Sequence, residues 1–360
     1  MMTAFAVYRL PREKECVVMV QRNDSPLELM SCTELNGKSG FVMCPFAVAP
    51  NQPILLLQPD STSMMPVDRH LLRESLALED EAMHRFAGHL EPEDERAAYA
   101  RDFSAFHSCL TDGRFCKIVL ARRCFEQGDE DVLQLFCKAC AGYPQMFVSL
   151  VSMPQSGTWL MATPEVLLEG YHGQWRTVAL AGTMNRRGNG GSCGNPVPDH
   201  RPDMHWSRKN IREQRYVVAY IKECLERYAE NVVEKGPYTV QAAHLVHLCS
   251  DFSFTLSHPS CVGQLLEALH PTPAVCGLPK QETFRFIHTH ESAARRYYSG
   301  FSGPLDVEGA THLFVSLRCM EMVGDGYCLH AGGGLLADSV EQQEWEETEA
   351  KMETMRRLLK

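Results

Sequence analysis

The sequence predicts a protein of separate strands and helices rather than a nucleotide-binding Rossmann fold. Short apolar runs broken by turn signals fill the first 90 residues, which favours strands there. Segments with helical apolar spacing follow at 90–110 and 207–228. One stretch, GYCLHAGGGLLA, has the glycine spacing of a nucleotide loop. Too little chain follows it to supply the second strand of a βαβ unit.

Composition and charge limit the class of protein. The chain has 360 residues, 44% of them hydrophobic and 22% charged, which is enough for one large domain or two smaller ones. A net charge of −10 without a basic stripe argues against a nucleic-acid partner. No apolar run approaches the roughly 18 residues that a membrane span needs. We expect no nucleic acid and no membrane as partners, and a monomer or weak homodimer.

The N-terminus and the cysteines bear on the compartment. The run MMTAFAVYRLPREKE has no basic segment before its apolar residues, so it does not match a signal peptide. We therefore expect a cytoplasmic protein whose 15 cysteines are reduced and packed as small apolar groups. Cys137 and Cys140 form a CxxC pair without a second pair, which favours core packing over a zinc site.

A candidate catalytic base, Lys117, lies in the segment FCKIVLARR, which alternates like a strand. Lys117 shares one face of this strand with Val119 and Ala121. On a half-exposed sheet such a lysine keeps its ammonium in water. In a closed site the same lysine is a candidate base.

A candidate acid, Glu165, follows in MATPEVLLEG. Thr163 can cap a helix and Pro164 suits the first helical position, so Glu165 is predicted to lie in a first helical turn. A carboxylate placed there to complement the helix dipole is the ordinary explanation of such a residue.

Two polar segments come next. A predicted strand runs into Ala181-Gly182-Thr183, a predicted turn whose backbone amides can face an anion. Residues 186–203 are dense in Gly, Pro and Asn and are predicted to form a mobile loop.

A long helix is predicted over 207–228, where Asn210 and Glu213 are spaced i, i+3 and share one oxygen-bearing face. The run YTVQAAHLVHLCSDFSF is predicted to be one strand, which carries His244 and His247. A single histidine on a strand is more often a buried structural residue than a catalyst.

Two later segments favour a small anionic ligand. LHPTPAVCGLPK packs three prolines and a glycine into one rigid connection, and such loops let a ligand approach closely. Arg318 is predicted to lie inside an apolar strand, LFVSLRCMEM. A buried arginine needs a carboxylate partner, and a substrate carboxylate fits its guanidinium fork.

The last helix is predicted to start at Ser339, because Ser339 and Gln342 have capping-box spacing. Glu344 and Glu347 then lie i, i+3 on one face, and Lys351 follows four residues later. Two carboxylates on one face suit a hard cation such as Mg²⁺, and a solvated acidic surface is the alternative.

Several of these segments, taken together, resemble the chorismate-utilising enzyme family. In chain order they are KIVLARR, ATPEVLLEG, ALAGT, LHPTPAVCGLPK, YYSGFSG, SLRCM and AGGGLLADSVEQQEWEETEAK. The resemblance runs from about residue 90 to the C-terminus. Within the family it is greatest to the branch that isomerises chorismate to isochorismate.

The resemblance implies a single α+β domain, in which two large antiparallel β-sheets pack together, helices cover the outside and the active site lies between. Residues 1–90 would form a divergent, strand-rich part of this domain, and residues 91–360 the chorismate-binding catalytic core. The implied small-molecule partner is chorismate. The implied cofactor is Mg²⁺, bound to the ring carboxylate of chorismate.

The resemblance also implies roles for single residues. Lys117 matches the base that activates water for attack at ring C2, and Glu165 the acid that protonates the departing C4 hydroxyl. The positions on the metal side are Glu213, Glu344 and Glu347. The positions that contact the substrate are Gly182, Thr183, His247, Ala274, Tyr298, Arg318, Gly332, Gly333 and Lys351. Among them, Arg318 and Tyr298 match groups on the enolpyruvyl carboxylate.

Three residues depart from the family pattern. Asn210 stands where many members have an acidic residue, Gln214 where they have histidine, and His330 where they have another aromatic residue. An amide at the first of these positions favours the menaquinone branch, so we expect isochorismate production for menaquinone.

Two rival functions stay open. One is a lyase on the same scaffold, such as a salicylate synthase, and the other is a chorismate-binding protein without activity. Ala274 favours isomerisation, because the salicylate and anthranilate branches have threonine there; the alternative is that a small residue is required for close packing at this position. The presence of both Lys117 and Glu165 argues against a protein that only binds.

Overall fold

The structure is a computed structural model that describes residues 4–77, 94–185, 206–242 and 245–360. The predicted loop at 186–203, the predicted boundary at residue 90 and His244 lie outside the described residues. Within the described ranges, no helix combines the length and the apolar character needed to span a bilayer.

The described residues form two antiparallel sheets and a set of helices. The strands are β1 (Ala4–Arg9), β2 (Glu15–Gln21), β3 (Leu27–Leu29), β4 (Gly40–Cys44), β5 (Ile54–Leu57), β6 (Ser61–Pro66), β7 (Lys117–Gln127), β8 (Phe147–Met153), β9 (Gly157–Thr163), β10 (Val166–Tyr171), β11 (Gln174–Asn185), β12 (Ala229–Ala242), β13 (Leu245–Leu256), β14 (Gly277–Leu278), β15 (Phe301–Leu305), β16 (Ala310–Val315), β17 (Cys319–Val323) and β18 (Gly326–Leu335). The α-helices are α1 (Arg69–Leu76), α2 (Glu95–Thr111), α3 (Val132–Gly142), α4 (Arg208–Tyr228), α5 (Val262–Leu269), α6 (Lys280–His290) and α7 (Glu341–Arg356).

Each sheet has nine strands within the described ranges. The first has the order β14-β7-β18-β17-β9-β8-β1-β2-β6, and the second the order β12-β13-β11-β10-β16-β15-β4-β5-β3. In the first sheet, β18 pairs with β7 along its whole length, from Gly326 opposite Gln127 to Leu335 opposite Ile118. This pairing brings the glycines of β18 beside the start of β7, where Lys117 lies.

The two sheets pack face to face and the helices cover their outer faces. Between the sheets, the ring of Phe147 on β8 stacks on Phe314 of β16, with centroids 4.3 Å apart. On β1, Phe5 packs in the outer core with α3 and α7, whereas Tyr8 packs between the sheets, as strand alternation requires. Helices α4 and α5 pack on the second sheet. The predicted α+β architecture is confirmed.

Several local predictions are confirmed as well. Strand β7 begins at Lys117, within the segment that alternates in the sequence. The helix predicted over 207–228 is present as α4, and Ser207 caps it by accepting a hydrogen bond from the backbone amide of Asn210. The N-terminal region is strand-rich, and its strands belong to both sheets.

The predicted helix at Thr163 is wrong. Thr163 ends β9 in the first sheet and Val166 begins β10 in the second, so Pro164 and Glu165 form a two-residue crossover between the sheets. The apolar residues after Glu165 pair with β11 and β16. This long-range pairing outweighs the local capping signal.

The predicted start of the last helix is also wrong. Helix α7 begins at Glu341, and Val340 occupies the N-cap position without a side-chain hydrogen bond. The hydroxyl of Ser339 instead accepts a hydrogen bond from the amide of Leu336, 3.0 Å away. The serine therefore stabilises the turn before the helix.

Two strand predictions need correction. Arg318 does not lie inside a strand but in the connection between β16 and β17, with a φ of +45°. A left-handed backbone conformation does not continue a β-strand. The side chain of Arg318 therefore does not follow the alternation of the neighbouring strands. The long strand predicted to carry His247 is divided into β12 and β13, and His247 lies on β13.

Candidate active site

Lys117 and Glu213 form a buried ion pair between β7 and α4. The Lys117 side chain is fully buried, and its Nζ lies 3.0 Å from Oε1 of Glu213. A side chain at Gly334 would overlap with Glu213 and would come within 2.9 Å of the Lys117 stem. The two charged groups therefore meet because β18 has a glycine at this position.

Glu165 supplies an acid next to this pair. Its position on the crossover between the sheets buries the carboxyl completely, and burial raises its pKa to about 8 despite the opposing charges of Lys117, Arg318 and Lys351. The carboxyl is consequently protonated at neutral pH. A protonated carboxyl can donate a proton to a leaving group.

Helix α7 presents two carboxylates on the other side of β18. A Cβ at Gly333 would lie 3.4 Å from Oε2 of Glu344 and 4.0 Å from Oε1 of Glu347, so the two groups converge above this glycine. Lys209, in the first turn of α4, pairs with Oε1 of Glu344. Lys351 lies 2.7 Å from Glu347 and also donates to the carbonyl of Gly332 at 2.8 Å.

The pKa values of these two carboxyl groups are shifted in opposite directions. Burial raises the pKa of Glu344, in spite of Lys209. Burial also opposes ionisation of Glu347, but Lys351 and Lys209 lower its pKa to about 2. Glu347 is therefore ionised throughout the physiological range.

Arg318, His247 and Tyr298 line the same cleft. In the described part of the chain, Nη1 of the buried Arg318 has no hydrogen-bond partner, while Nη2 lies 3.2 Å from Nε2 of His247. Arginine only donates, so Nε2 must accept and Nδ1 must carry the proton that bonds the Gly182 carbonyl at 3.0 Å. Burial, and then Arg318, lowers the pKa of His247 to about 3, so the ring is neutral.

The Ala181-Gly182-Thr183 segment is a β-bulge, not the predicted turn. The register of β11 against β13 shifts between Ala181 and Thr183, and Gly182 has a φ of +72°. A side chain at Gly182 would lie 3.0 Å from the Cβ of Asn210. The bulge turns the Gly182 carbonyl toward His247 while keeping β11 continuous.

These side chains surround one cleft between the two sheets, with a cavity volume of about 60 Å³. Ten of the fourteen predicted residues line it: Glu165, Gly182, Thr183, Glu213, His247, Ala274, Tyr298, Arg318, Gly332 and Lys351. Lys117 lies directly behind Glu213 and Gly334. Gly333, Glu344 and Glu347 form the adjacent layer beneath α7.

The structure places two further side chains, His330 and Lys209, at this site. His330 stacks between Trp159 and Tyr298, with ring centroids 5.3 and 5.4 Å away, so the departure from the family pattern keeps a flat ring in the cleft wall. Lys209 was not among the predicted site residues. Its sequence signal was available, because it precedes Glu213 by four residues and so shares that face of α4.

The predicted metal ligands do not enclose an ion in this arrangement. Across the described ranges, no three His, Cys, Asp or Glu side chains are grouped closely enough to hold a metal. The donor set nevertheless fits a hard divalent cation. Glu344 and Glu347 converge over a glycine, and Oε2 of Glu344 is buried without a hydrogen-bond partner among the described residues.

Comparisons with known proteins identify the family. A family model described as chorismate binding enzyme matches residues 57–360, so the match begins earlier than the resemblance seen in the sequence. A salicylate biosynthesis isochorismate synthase of Pseudomonas aeruginosa is 33% identical over 273 residues, which are 74% of this chain and only 55% of that protein. Isochorismate synthase DhbC of Bacillus subtilis is 30% identical over 295 residues, covering 78% of this chain and 72% of the relative.

A solved structure supports the same architecture. The chain is similar to MenF, the menaquinone-specific isochorismate synthase from Escherichia coli, with a TM-score of 0.77 over 99% of this chain and 89% of that one. The sequence identity is 21%, so this likeness concerns the fold. Together with the family model, which covers most of the sequence, it leads to one conclusion: the chain belongs to the family of chorismate-binding enzymes.

Proposed function

We propose that this protein is an isochorismate synthase, which converts chorismate to isochorismate by adding water at ring C2 and losing the hydroxyl at C4. The observation that carries the proposal is the position of Glu165, a buried carboxyl in the wall of a cleft that Lys117 adjoins. An acid held protonated beside a buried lysine is the pair that this exchange of hydroxyl groups requires.

The proposed steps use two proton transfers. Lys117, after releasing the proton that it holds in its ion pair with Glu213, takes a proton from water as the water oxygen bonds to C2 and the two ring double bonds shift. Glu165 gives its proton to the C4 hydroxyl, which leaves as water. The two transfers balance, because the proton gained by Lys117 equals the one lost by Glu165.

Arg318 supports the recognition of a substrate carboxylate. It carries a positive charge inside the cleft, and among the described residues no carboxylate pairs with it. Tyr298 lies beside it in the cleft wall. We propose that these two residues bind the enolpyruvyl carboxylate, since a guanidinium can bind both carboxylate oxygens at once.

We further propose that the reaction depends on Mg²⁺. Glu344 and Glu347, with Glu213 nearby, would hold the ion. When bound, Mg²⁺ neutralises the ring carboxylate of chorismate and fixes its position. The convergence of two carboxylates over Gly333 supports this assignment.

The identity of residue 274 favours isomerisation over pyruvate release. Ala274 lines the cleft, where a threonine would add a methyl and a hydroxyl group to the wall. We propose that alanine leaves isochorismate free to depart before its enolpyruvyl group is eliminated. Asn210 supports menaquinone synthesis as the pathway that uses the product.

One product analysis tests this function. The protein is incubated with chorismate and MgCl₂, the products are separated by chromatography, and pyruvate is measured by coupling to lactate dehydrogenase. We expect isochorismate with little pyruvate. Stoichiometric pyruvate would identify a lyase, and unchanged chorismate would identify a protein that only binds.

The variant Ala274→Thr tests the residue assignment in the same assay. We expect product to shift toward salicylate and pyruvate, by the roughly 1–3 kcal/mol that one pocket contact is worth. Unchanged products from an active variant would remove Ala274 from the explanation of product choice.

A further inference from the structure

Each carboxylate assigned to the metal site is paired with a lysine of this chain. Glu213 pairs with Lys117, Glu347 with Lys351, and Glu344 with Lys209. The cluster therefore carries as many positive as negative side chains. A divalent cation cannot enter such a balanced cluster without either adding excess positive charge or displacing one of the ammonium groups.

The three lysines differ in how firmly they are held. The Lys117 side chain is fully buried, and the Lys351 side chain is 15% exposed and is also fixed by the Gly332 carbonyl. The Lys209 side chain is 22% exposed, whereas the Glu344 side chain it pairs with is only 2% exposed. Lys209 is thus the lysine whose ammonium reaches water most readily.

Lys209 also contacts one of the two carboxylates that converge at the proposed metal position. Glu344 uses Oε1 for Lys209, while its Oε2 is directed toward Gly333, close to Glu347. Burial would lower the pKa of Lys209, but Glu344, Glu347 and Glu213 together raise it, which shows that all three carboxylates act on its charge. One ammonium therefore neutralises the same group of carboxylates that would bind the ion.

We propose that Lys209 is a displaceable counter-ion of the metal site. Its ammonium occupies the carboxylate cluster when no metal is bound, and it moves toward water when a divalent cation enters. Metal binding to the free protein is consequently weak, because it must break an ion pair. This inference rests on the proposed metal dependence of the function.

Titration of the substrate-free protein with MgCl₂, followed by calorimetry, tests the proposal. The variant Lys209→Met keeps the length of the side chain and removes its charge. We expect it to bind Mg²⁺ on the order of tenfold more tightly than the wild type, within the usual range for two ligands that compete through one site. The matched control is Lys222→Met, which removes a lysine of the same helix that pairs with Glu234.

A second variant and a second measurement distinguish an effect of charge from a loss of stability in Lys209→Met. Lys209→Arg keeps the positive charge and is expected to bind Mg²⁺ no more tightly than the wild type. Without its counter-ion, Glu344 is a buried, unpaired carboxylate, so Lys209→Met should melt at a lower temperature and gain more from added Mg²⁺ than the wild type. If added Mg²⁺ raised the melting temperature of Lys209→Met no more than that of the wild type, the proposal would be overturned.

The outcomes separate this inference from the proposed function. If the wild type binds Mg²⁺ in the presence of chorismate and Lys209→Met binds it no more tightly without substrate, Lys209 is not a counter-ion for the metal. A higher KM for chorismate with unchanged Mg²⁺ affinity would assign Lys209 to substrate binding instead. If no form binds Mg²⁺ even with chorismate present, the metal dependence itself is wrong and this inference fails with it.

Discussion

Two glutamates in one site have opposite protonation states. Glu165 lies on the crossover between the sheets, and Glu347 lies on α7 beneath β18. Burial disfavours the charged form of both, yet the pKa of Glu165 is about 8 and that of Glu347 about 2. Only Glu347 has an ammonium in direct contact, that of Lys351 at 2.7 Å.

The comparison shows how one site can hold both an acid and a cation ligand. Lys117, Arg318 and Lys351 all act on Glu165, but their combined effect is smaller than the effect of burial. At Glu347 the contact with Lys351, together with the charge of Lys209, reverses that balance. Contact with one ammonium does not suffice by itself, because Glu344 contacts Lys209 and burial still raises its pKa.

The largest expected effect comes from removing the base beside Glu165. Lys117→Ala should lower kcat by roughly 10²–10⁴-fold, the usual contribution of a positioned acid or base. The control is Lys138→Ala, which removes a partly exposed lysine that pairs with Glu130. Steady-state kinetics with purified, folded variants provide the measurement, and near wild-type activity in Lys117→Ala would refute its assignment as the base.

The next effect concerns the ionised glutamate. Glu347→Gln should raise the Mg²⁺ concentration needed for half-maximal activity by on the order of 10–100-fold, because it removes charge from an oxygen-ligand site. Glu349→Gln is the matched control, since Arg122 and Arg356 hold Glu349 on another face of α7. Equal responses of the two variants in a Mg²⁺ titration would mean that the acidic face of α7 is only a solvated surface.

The raised pKa of Glu165 predicts a basic limb in the pH dependence of the rate. As the pH rises through about 8, Glu165 loses the proton that the reaction needs, so kcat should fall by about tenfold per pH unit. The residual activity of Glu165→Gln should lack this limb. A wild-type profile that stays flat from pH 7 to 10 would show that Glu165 is not the acid.

The smallest expected effects are on stability, and they have opposite signs for the two glutamates. Glu165 has a folded pKa above its ordinary 4.5, so its contribution is present below pH 4.5 and is lost as the pH rises to about 8. Between these pH values, the free energy of unfolding of Glu165→Gln should rise relative to that of the wild type by about 1.4 kcal/mol per pH unit. Urea denaturation at pH 5.5 and 7.5 measures this change.

Glu347 should behave in the reverse way in the same experiment. Its folded pKa lies below 4.5, so its contribution is present above that pH and is lost as the pH falls toward 2. Glu347→Gln should therefore be less stable than the wild type at pH 7, and the difference should narrow in acid. If the stability differences of the two variants from the wild type changed with pH in the same direction, the comparison of Glu165 with Glu347 would be contradicted.

Patterns within single segments indicated individual elements and candidate residues, whereas the two-sheet architecture and the roles of the site residues followed from the family resemblance. The strand at Lys117 and the cap at Ser207 are local signals that the fold retains. The prediction of a helix at Thr163 was wrong because Val166–Tyr171 pairs with the strands β11 and β16 instead. Local capping signals carry no information about such pairing.

The electrostatic states of the site could not be read from residue types. Glu165 and Glu347 are chemically identical, and their protonation depends on which ammonium group the fold brings into contact. The pair of Lys117 and Glu213 joins a strand to a helix 96 positions away in the sequence. Lys209 was overlooked because its partner, Glu344, lies in the last helix.

The three consecutive glycines of β18 have a consequence for the evolution and engineering of this protein. Gly332, Gly333 and Gly334 are adjacent in the chain, but each faces different atoms. An added methyl group would meet the Tyr298 hydroxyl at 2.9 Å from Gly332, and would collide with Glu213 from Gly334. From Gly333 the nearest atom would be 3.4 Å away, which is ordinary contact distance.

Tolerance to substitution should therefore change sharply from one codon to the next. In a library that varies these three positions, folded protein should tolerate alanine at the middle position and require glycine at the third. The middle position is the one of the three at which an added methyl group meets no atom closer than 3.4 Å, although that methyl group would stand between the carboxylates of the proposed metal site. Homologues that carry a larger residue at the third position would be expected to have moved the carboxylate of α4 as well.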